Sequence, residues 1–153
     1  MISEKVVDTL NNQILLEAES SQFYLAMASW AEGQGLNGTS EFFYRQSDEE
    51  RQHMLKLVRY VNERGGSATI PATSEPKTDY KDVTHVFDAF LNHEINVTEK
   101  INELVGICLD ERDYTTHNFM QWFVSEQIEE EATARGIKDK LKLIGNDKGG
   151  LYL

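Results

Sequence analysis

Apolar side chains recur at steps of three and four residues along four long stretches of this 153-residue chain, and no sustained alternation of period two appears anywhere. That periodicity dictates helices. The first stretch runs from a candidate N-cap at Ser3 to Ala31 or Glu32 and stops at Gly33-Gln34-Gly35. The second starts near Asn37 or Thr39 and ends at Arg64-Gly65-Gly66. The third begins after Asp82 and reaches about Leu109. A polar break, Asp110-Glu111-Arg112-Asp113, separates it from the fourth, which continues to Ile144 and stops at Gly145. Ten glycines and two prolines are few enough to permit elements this long, and they argue against a turn-rich β-sandwich. At 1.5 Å per residue each helix is roughly 45 Å long.

Both prolines, Pro71 and Pro76, fall in residues 67–82 among serines and threonines, so that stretch is extended. The connections are therefore short, long, short. An up-down-up-down bundle needs no long middle connection, whereas two hairpins joined by a crossover do. A fully extended chain of this length spans up to ~55 Å, enough to travel the bundle from end to end.

The inward seams of these helices carry the chemistry. They read Val7, Leu10, Ile14, Glu17, Ser21, Tyr24, Ala28, Ala31 in the first helix and Phe43, Gln46, Glu50, His53, Leu57, Tyr60 in the second. The third gives Val83, Phe87, Phe90, Glu94, Val97, Ile101, Leu104, Cys108. The fourth gives Thr116, Met120, Phe123, Gln127, Glu130, Ala134, Ile137, Leu141, Ile144. Each seam is interrupted near its middle by a carboxylate or a metal-capable polar pair. Glu17 and Glu50 lie 33 residues apart, as do Glu94 and Gln127. A shift of 77 residues carries Glu17, Glu49, Glu50 and His53 onto Glu94, Glu126, Gln127 and Glu130. Two similar hairpins related by a pseudo-twofold axis bring both sets to one level.

Taken singly, Glu17 or Glu94 reads as a solvated helix residue, and His53 beside Glu50 as an ordinary i,i+3 pair. Six such residues on four independently drawn seams, in register, do not. Buried Glu17, Glu50, Glu94 and Glu130 bring four carboxylates together with no Lys or Arg near them on the seams. A low-dielectric core tolerates such a group only with cations or protons. Two divalent ions balance the charge, with His53 as a neutral ligand. Oxygen-rich donors with one imidazole suit iron or manganese, while zinc would leave ligands idle and the lack of sulfur disfavours copper(I). A net charge of −11, from 26 acidic against 15 basic residues, suits metal cations and argues against nucleic acid or an anionic membrane as partner. The lone cysteine, Cys108, excludes an intramolecular disulfide and cysteine-based metal sites. A polar amphipathic start and no apolar run near ~20 residues lead us to expect a cytoplasmic protein.

Glu17, Glu50-x-x-His53, Glu94 and Gln127-x-x-Glu130 resemble the pattern of the non-haem bacterial ferritins, and the all-α, ferritin-like four-helix bundle of two hairpins is the fold that resemblance implies. Also similar are Lys100-Ile101-Asn102-Glu103-Leu104, Ser125-Glu126-Gln127 and Gly150-Leu151-Tyr152. The bundle is expected in residues 1–145 and a short tail in 146–153, the fifth helix usual in ferritins being either absent or truncated. The resemblance implies iron storage with ferroxidase activity, oxidising Fe(II) with dioxygen or peroxide and keeping the ferric product in a hollow shell, a 24-mer formed by self-association. Two irons per subunit are implied, the first on Glu17 and His53, the second on Glu94 and Glu130, with Glu50 bridging. Gln127 faces the site as a neutral amide, and Tyr24 is a candidate hydrogen-bond or electron donor beside it, a core tyrosine being the plain alternative. Glu49, Glu126 and Glu129, with Glu130, resemble a third iron site, against the alternative of a solvated acidic face. No haem is expected: the fourth helix lacks a second Glu-x-x-His, and Gln52 stands where a haem-ligating methionine would fall. One cysteine excludes a rubrerythrin-type centre. Where animal relatives place acidic pore residues, this sequence offers Asp113, His117 and Gln121. Trp30 and Trp122 read as packing residues, and Leu16, Phe23, Met27 and Trp30 form a second apolar stripe suited to contacts beyond the seam. The rival readings are a di-iron enzyme of small oligomeric state acting on an organic substrate and a non-catalytic four-helix module with an acidic binding face.

Overall fold

The computed structural model describes residues 1–145, and the expected tail at 146–153 lies outside the described residues. Four helices follow one another: α1 (Glu4–Gly33), α2 (Asn37–Glu63), α3 (Val83–Asp110) and α4 (Tyr114–Ile144). Their ends obey local chemistry. Ser3 Oγ accepts from the Val6 amide at 3.2 Å, Asp82 from the His85 amide at 3.0 Å and Asp113 from the Thr116 amide at 2.9 Å, capping α1, α3 and α4. α2 starts from Leu36 without a side-chain cap, directly after the tight turn at Gly35. Gly35 and Gly65 stop α1 and α2 at φ values of 76° and 84°, which favour glycine.

α1 pairs with α2, α3 with α4, and α1 also packs on α3. Residues 66–80, free of helix and strand, carry the chain from the end of α2 back along the bundle to α3. The apolar core comes in two parts. One joins Leu10 and Ile14 of α1 to Leu57, Ile101, Leu104 and Met120. The other joins Tyr24 and Met27 to Phe43, Phe87, Phe90 and Ala134. The first precedes the second along α1 and α4, and the order reverses along α2 and α3, so the helices run up, down, down, up. Between the two parts lies a polar layer.

The seams of α2 and α3 are buried throughout. In α1 two positions differ: Val6 rather than Val7 faces the core, and Ser21 is half-buried, turned to Ser47 of α2 by a hydrogen bond of 2.8 Å to its carbonyl. Met27 is fully buried in the second core part and so is no member of an outward stripe. Beyond Ala134, Ile137 and Leu141 pack on the rim of that part and stay half-buried.

Candidate metal centre

Glu17, Glu50, His53, Glu94, Gln127 and Glu130 all occupy the polar layer, each no more than 7% exposed. Their placement follows from sequence. On each helix the layer sits one or two turns from large apolar residues on the same face, such as Ile14 before Glu17 and Phe90 before Glu94, and those residues set the helix rotation. Two groups emerge. One ligand atom each from Glu17, Glu50 and His53 lie within 4.8 Å of one another, and so do atoms from Glu50, Glu94 and Glu130. Glu50 is in both.

Around this pair of groups the polar contacts are sparse and directional. Glu17 Oε1 accepts from Gln13 Nε2 at 3.1 Å, while its Oε2 has no hydrogen-bond partner. His53 Nδ1 is 3.3 Å from Glu50 Oε2 and 3.9 Å from Glu17 Oε2. Glu94 is held from both sides, by the Tyr24 hydroxyl donating to Oε1 and by Gln127 Nε2 donating to Oε2 at 3.0 Å. Gln127 Nε2 also reaches the Glu94 carbonyl at 3.2 Å and Thr98 Oγ1 at 3.1 Å. The amide nitrogen is thus surrounded by acceptors, which fixes its orientation. Glu130 Oε2, like Glu17 Oε2, is buried with no partner.

Among the described residues no lysine or arginine is buried, so none of them neutralises these carboxylates. Burial and the Glu50 charge hold the Glu17 carboxyl well above the usual carboxylate range. Burial, with the charges of Glu94 and Glu130, pushes Glu50 up to about 8, and burial with the charge of Glu94 pushes Glu130 to about 8. Glu94 is raised too, by burial above all, against the hydrogen bonds from Tyr24 and Gln127. Burial and the Glu94 charge lift the Tyr24 phenol well above its ordinary value. Without cations the layer takes up protons. With them, two orphaned oxygens, a shared carboxylate and one imidazole form an oxygen-rich donor set suited to two iron or manganese ions.

Glu49, Glu126 and Glu129 do not join either group. Glu49 and Glu129 are exposed and Glu126 is half-buried, and all three line a cleft of about 440 Å³ between α2 and α4. Glu126 Oε2 comes within 4.0 Å of His53 Nε2. Trp122 borders the cleft, stacked edge-on to His53 at 5.1 Å under the Lys56 ammonium, 3.6 Å from its ring centre. Sequence reasoning passed over several supporting residues. Gln13 lies four residues before Glu17 and Thr98 four after Glu94, one helical turn away, so spacing alone could have found them. Glu131, which accepts from Thr98 Oγ1 at 2.5 Å, stands four residues after Gln127 and carried the same signal, whereas His93, whose Nε2 sits 2.7 Å from Ser20 Oγ, carried none.

Residues 7–144 match the family model of the Ferritin-like domain. This chain belongs to the ferritin-like family. Its similarity to ferritins runs the full length: 46% identity over 153 residues to a probable bacterial non-heme ferritin-like protein of Haemophilus influenzae, with 93% of that protein covered. A bacterial non-heme ferritin of Campylobacter jejuni is 42% identical over the same residues and 92% covered. The open pore ferritin of the hyperthermophilic archaeon Archaeoglobus fulgidus superposes with a TM-score of 0.97 at 44% identity, over 99% of this chain and 94% of that one. No described helix is long and apolar enough to cross a membrane.

Proposed function

We propose that the chain is the subunit of an iron-storage ferritin that oxidises Fe(II) at the centre of its own bundle and stores the ferric product in a shell of like subunits. The observation that carries this reading is the membership of Glu50 in both ligand groups. One carboxylate shared by two three-residue groups is what a pair of substrate ions needs if both are to be oxidised together.

In this reading Glu17 and His53 hold the first Fe(II), Glu94 and Glu130 the second, and Glu50 spans the two. Each Fe(II) gives up one electron, and dioxygen takes both electrons with two protons to leave as hydrogen peroxide; peroxide itself is the other oxidant of suitable charge and size. Glu50 and Glu130, protonated near neutral pH before iron arrives, lose their protons as iron binds. Gln127 and Tyr24 keep Glu94 turned toward the second ion, and Tyr24, one hydrogen bond from Glu94, is the aromatic group assigned to give an electron. Glu49, Glu126 and Glu129 form a flanking site through which a third iron passes. Haem has no place in this scheme. Storage requires closed symmetry, for which a 24-mer is the assembly we propose.

Size-exclusion chromatography with an iron assay tests the reading. Iron storage gives a large assembly that accumulates iron well beyond three ions per subunit. A small oligomer that turns over without accumulating iron would favour a di-iron oxidase, and no rapid absorbance change on aerobic Fe(II) addition would favour a non-catalytic module.

A further inference from the structure

Four buried side-chain oxygens among the described residues have no hydrogen-bond partner: Glu17 Oε2, Glu130 Oε2, Tyr80 Oη and Gln46 Oε1. Tyr80 belongs to the second apolar core part. Glu17 and Glu130 are already read as ligands. Gln46 remains, and neither the dinuclear scheme nor the packing uses it.

Its position is informative. Gln46 lies on α2 one turn before Glu50, is 7% exposed, and lines the α2–α4 cleft together with Glu49, Glu126, Glu129 and Glu130. A primary amide carbonyl carries two lone pairs and no proton, so it can be satisfied only by a donor or a cation. Its carboxylate neighbours in the cleft are acceptors when ionised and offer it nothing. A hard cation among them would be met by the same carbonyl. The orphaned oxygen and the acidic cluster are independent observations, one of burial and one of charge, and the residue that carries the first lines the cleft that holds the second.

We infer that Gln46 Oε1 is a ligand of the flanking iron site, completing with Glu49, Glu126 and Glu129 a set of one neutral and three anionic oxygens. This rests on the flanking-site reading above and adds a specific residue to it. The neutral donor has a consequence for function. Affinity at an oxygen-ligand site rises with ligand charge, so an amide in place of a fourth carboxylate keeps the third ion loosely held, as a transit position requires. Glu130, shared with the dinuclear centre, stands between the two.

Anaerobic calorimetric titration with Fe(II) alone, on the assembled protein, tests the inference. The wild type is expected to bind two ions tightly and a third more weakly. Gln46→Leu, which keeps the bulk of the side chain and removes the carbonyl, should weaken the third ion at least tenfold and leave the first two unchanged. Gln46→Glu should tighten the third by about tenfold, since it adds a charged oxygen at the same reach. An unchanged third site in Gln46→Leu would overturn the inference while leaving the dinuclear reading in place. Loss of the two tight ions in Gln46→Leu, with the helical content intact, would also overturn it, by making Gln46 part of the dinuclear centre. A wild type that binds two ions and no third would overturn both the inference and the flanking site. A wild type that binds no tight pair would bring down the proposed function itself.

Discussion

Glu50 is the residue on which the centre turns, because it alone belongs to both ligand groups. Glu50→Gln keeps its shape and removes its charge, so the initial rate of Fe(II) oxidation should fall by at least ~100-fold while the helical fold persists, a comparison that stopped-flow absorbance and circular dichroism make directly. The metal-free variant should melt no lower than the parent at pH 8, since a buried charge without a cation destabilises. The same groups set the pH dependence of the metal-free protein. Glu50 and Glu130 have folded-state values of about 8 against 4.5 in an unfolded chain, so the folded state holds more protons between those limits. Stability conferred by these groups is therefore fully present below pH 4.5 and is lost as pH rises toward 8. Cation binding reverses the cause: adding Zn(II) in weak buffer at pH 7 should release protons, about one to two per pair of ions, and a pH-stat records it. No proton release would mean that the carboxyls are already ionised. Most of these candidate ligands were legible in the sequence because charged residues on an apolar seam stand out. Gln46 stood on the same seam and carried no such mark, since a neutral amide there is unremarkable until its carbonyl is found buried and unpartnered.

At the scale of the helices, caps and turns were legible to within a residue or two, because Ser3, Asp82, Asp113 and the paired glycines declare themselves by chemistry rather than by packing. The rotation of α1 was less so. Val6 and Val7 are adjacent and equally apolar, and it is Val6 that is buried while Val7 stays half-buried. Asp113 illustrates how one residue serves two elements. It caps α4 through the Thr116 amide and hydroxyl, at 2.9 and 2.7 Å, and faces Arg64 of the α2 end at 3.5 Å. Asp113→Ala should cost about 1–2 kcal/mol in chemical denaturation of the metal-free protein, with Asp113→Asn restoring most of the loss because it still accepts from the amide. Where the chain leaves α2, Gly66 meets α1 closely: a Cβ there would come within 2.8 Å of Val7 Cγ2 and 3.1 Å of Val61 Cγ1. Gly66→Ala should therefore destabilise by about 1–3 kcal/mol, as overpacking does. An unaltered midpoint would show that the crossover yields freely.

The whole molecule is two hairpins whose 77-residue offset superposes one ligand set on the other, and this repeat made the architecture readable before any coordinates. Assembly was not readable in the same way. The half-buried Leu16, Phe23 and Trp30 pack on the rims of the two core parts, while the exposed Leu25, Ile128 and Leu143 are apolar residues on helix surfaces, a pattern that sequence periodicity assigns equally to solvent and to a subunit contact. Self-association should persist at physiological salt despite the net charge of −11, and a monomer by light scattering would count against storage. The central claim, however, is the paired oxidation at one shared carboxylate, and oxygen consumption tests it most directly. On addition of about two Fe(II) per subunit to the metal-free protein in air-saturated buffer, an oxygen electrode should record one dioxygen consumed for about every two Fe(II), within seconds, and Glu50→Gln should lose that fast phase. Consumption of one dioxygen per four Fe(II), at the slow rate of iron in buffer and identical in the variant, would contradict it.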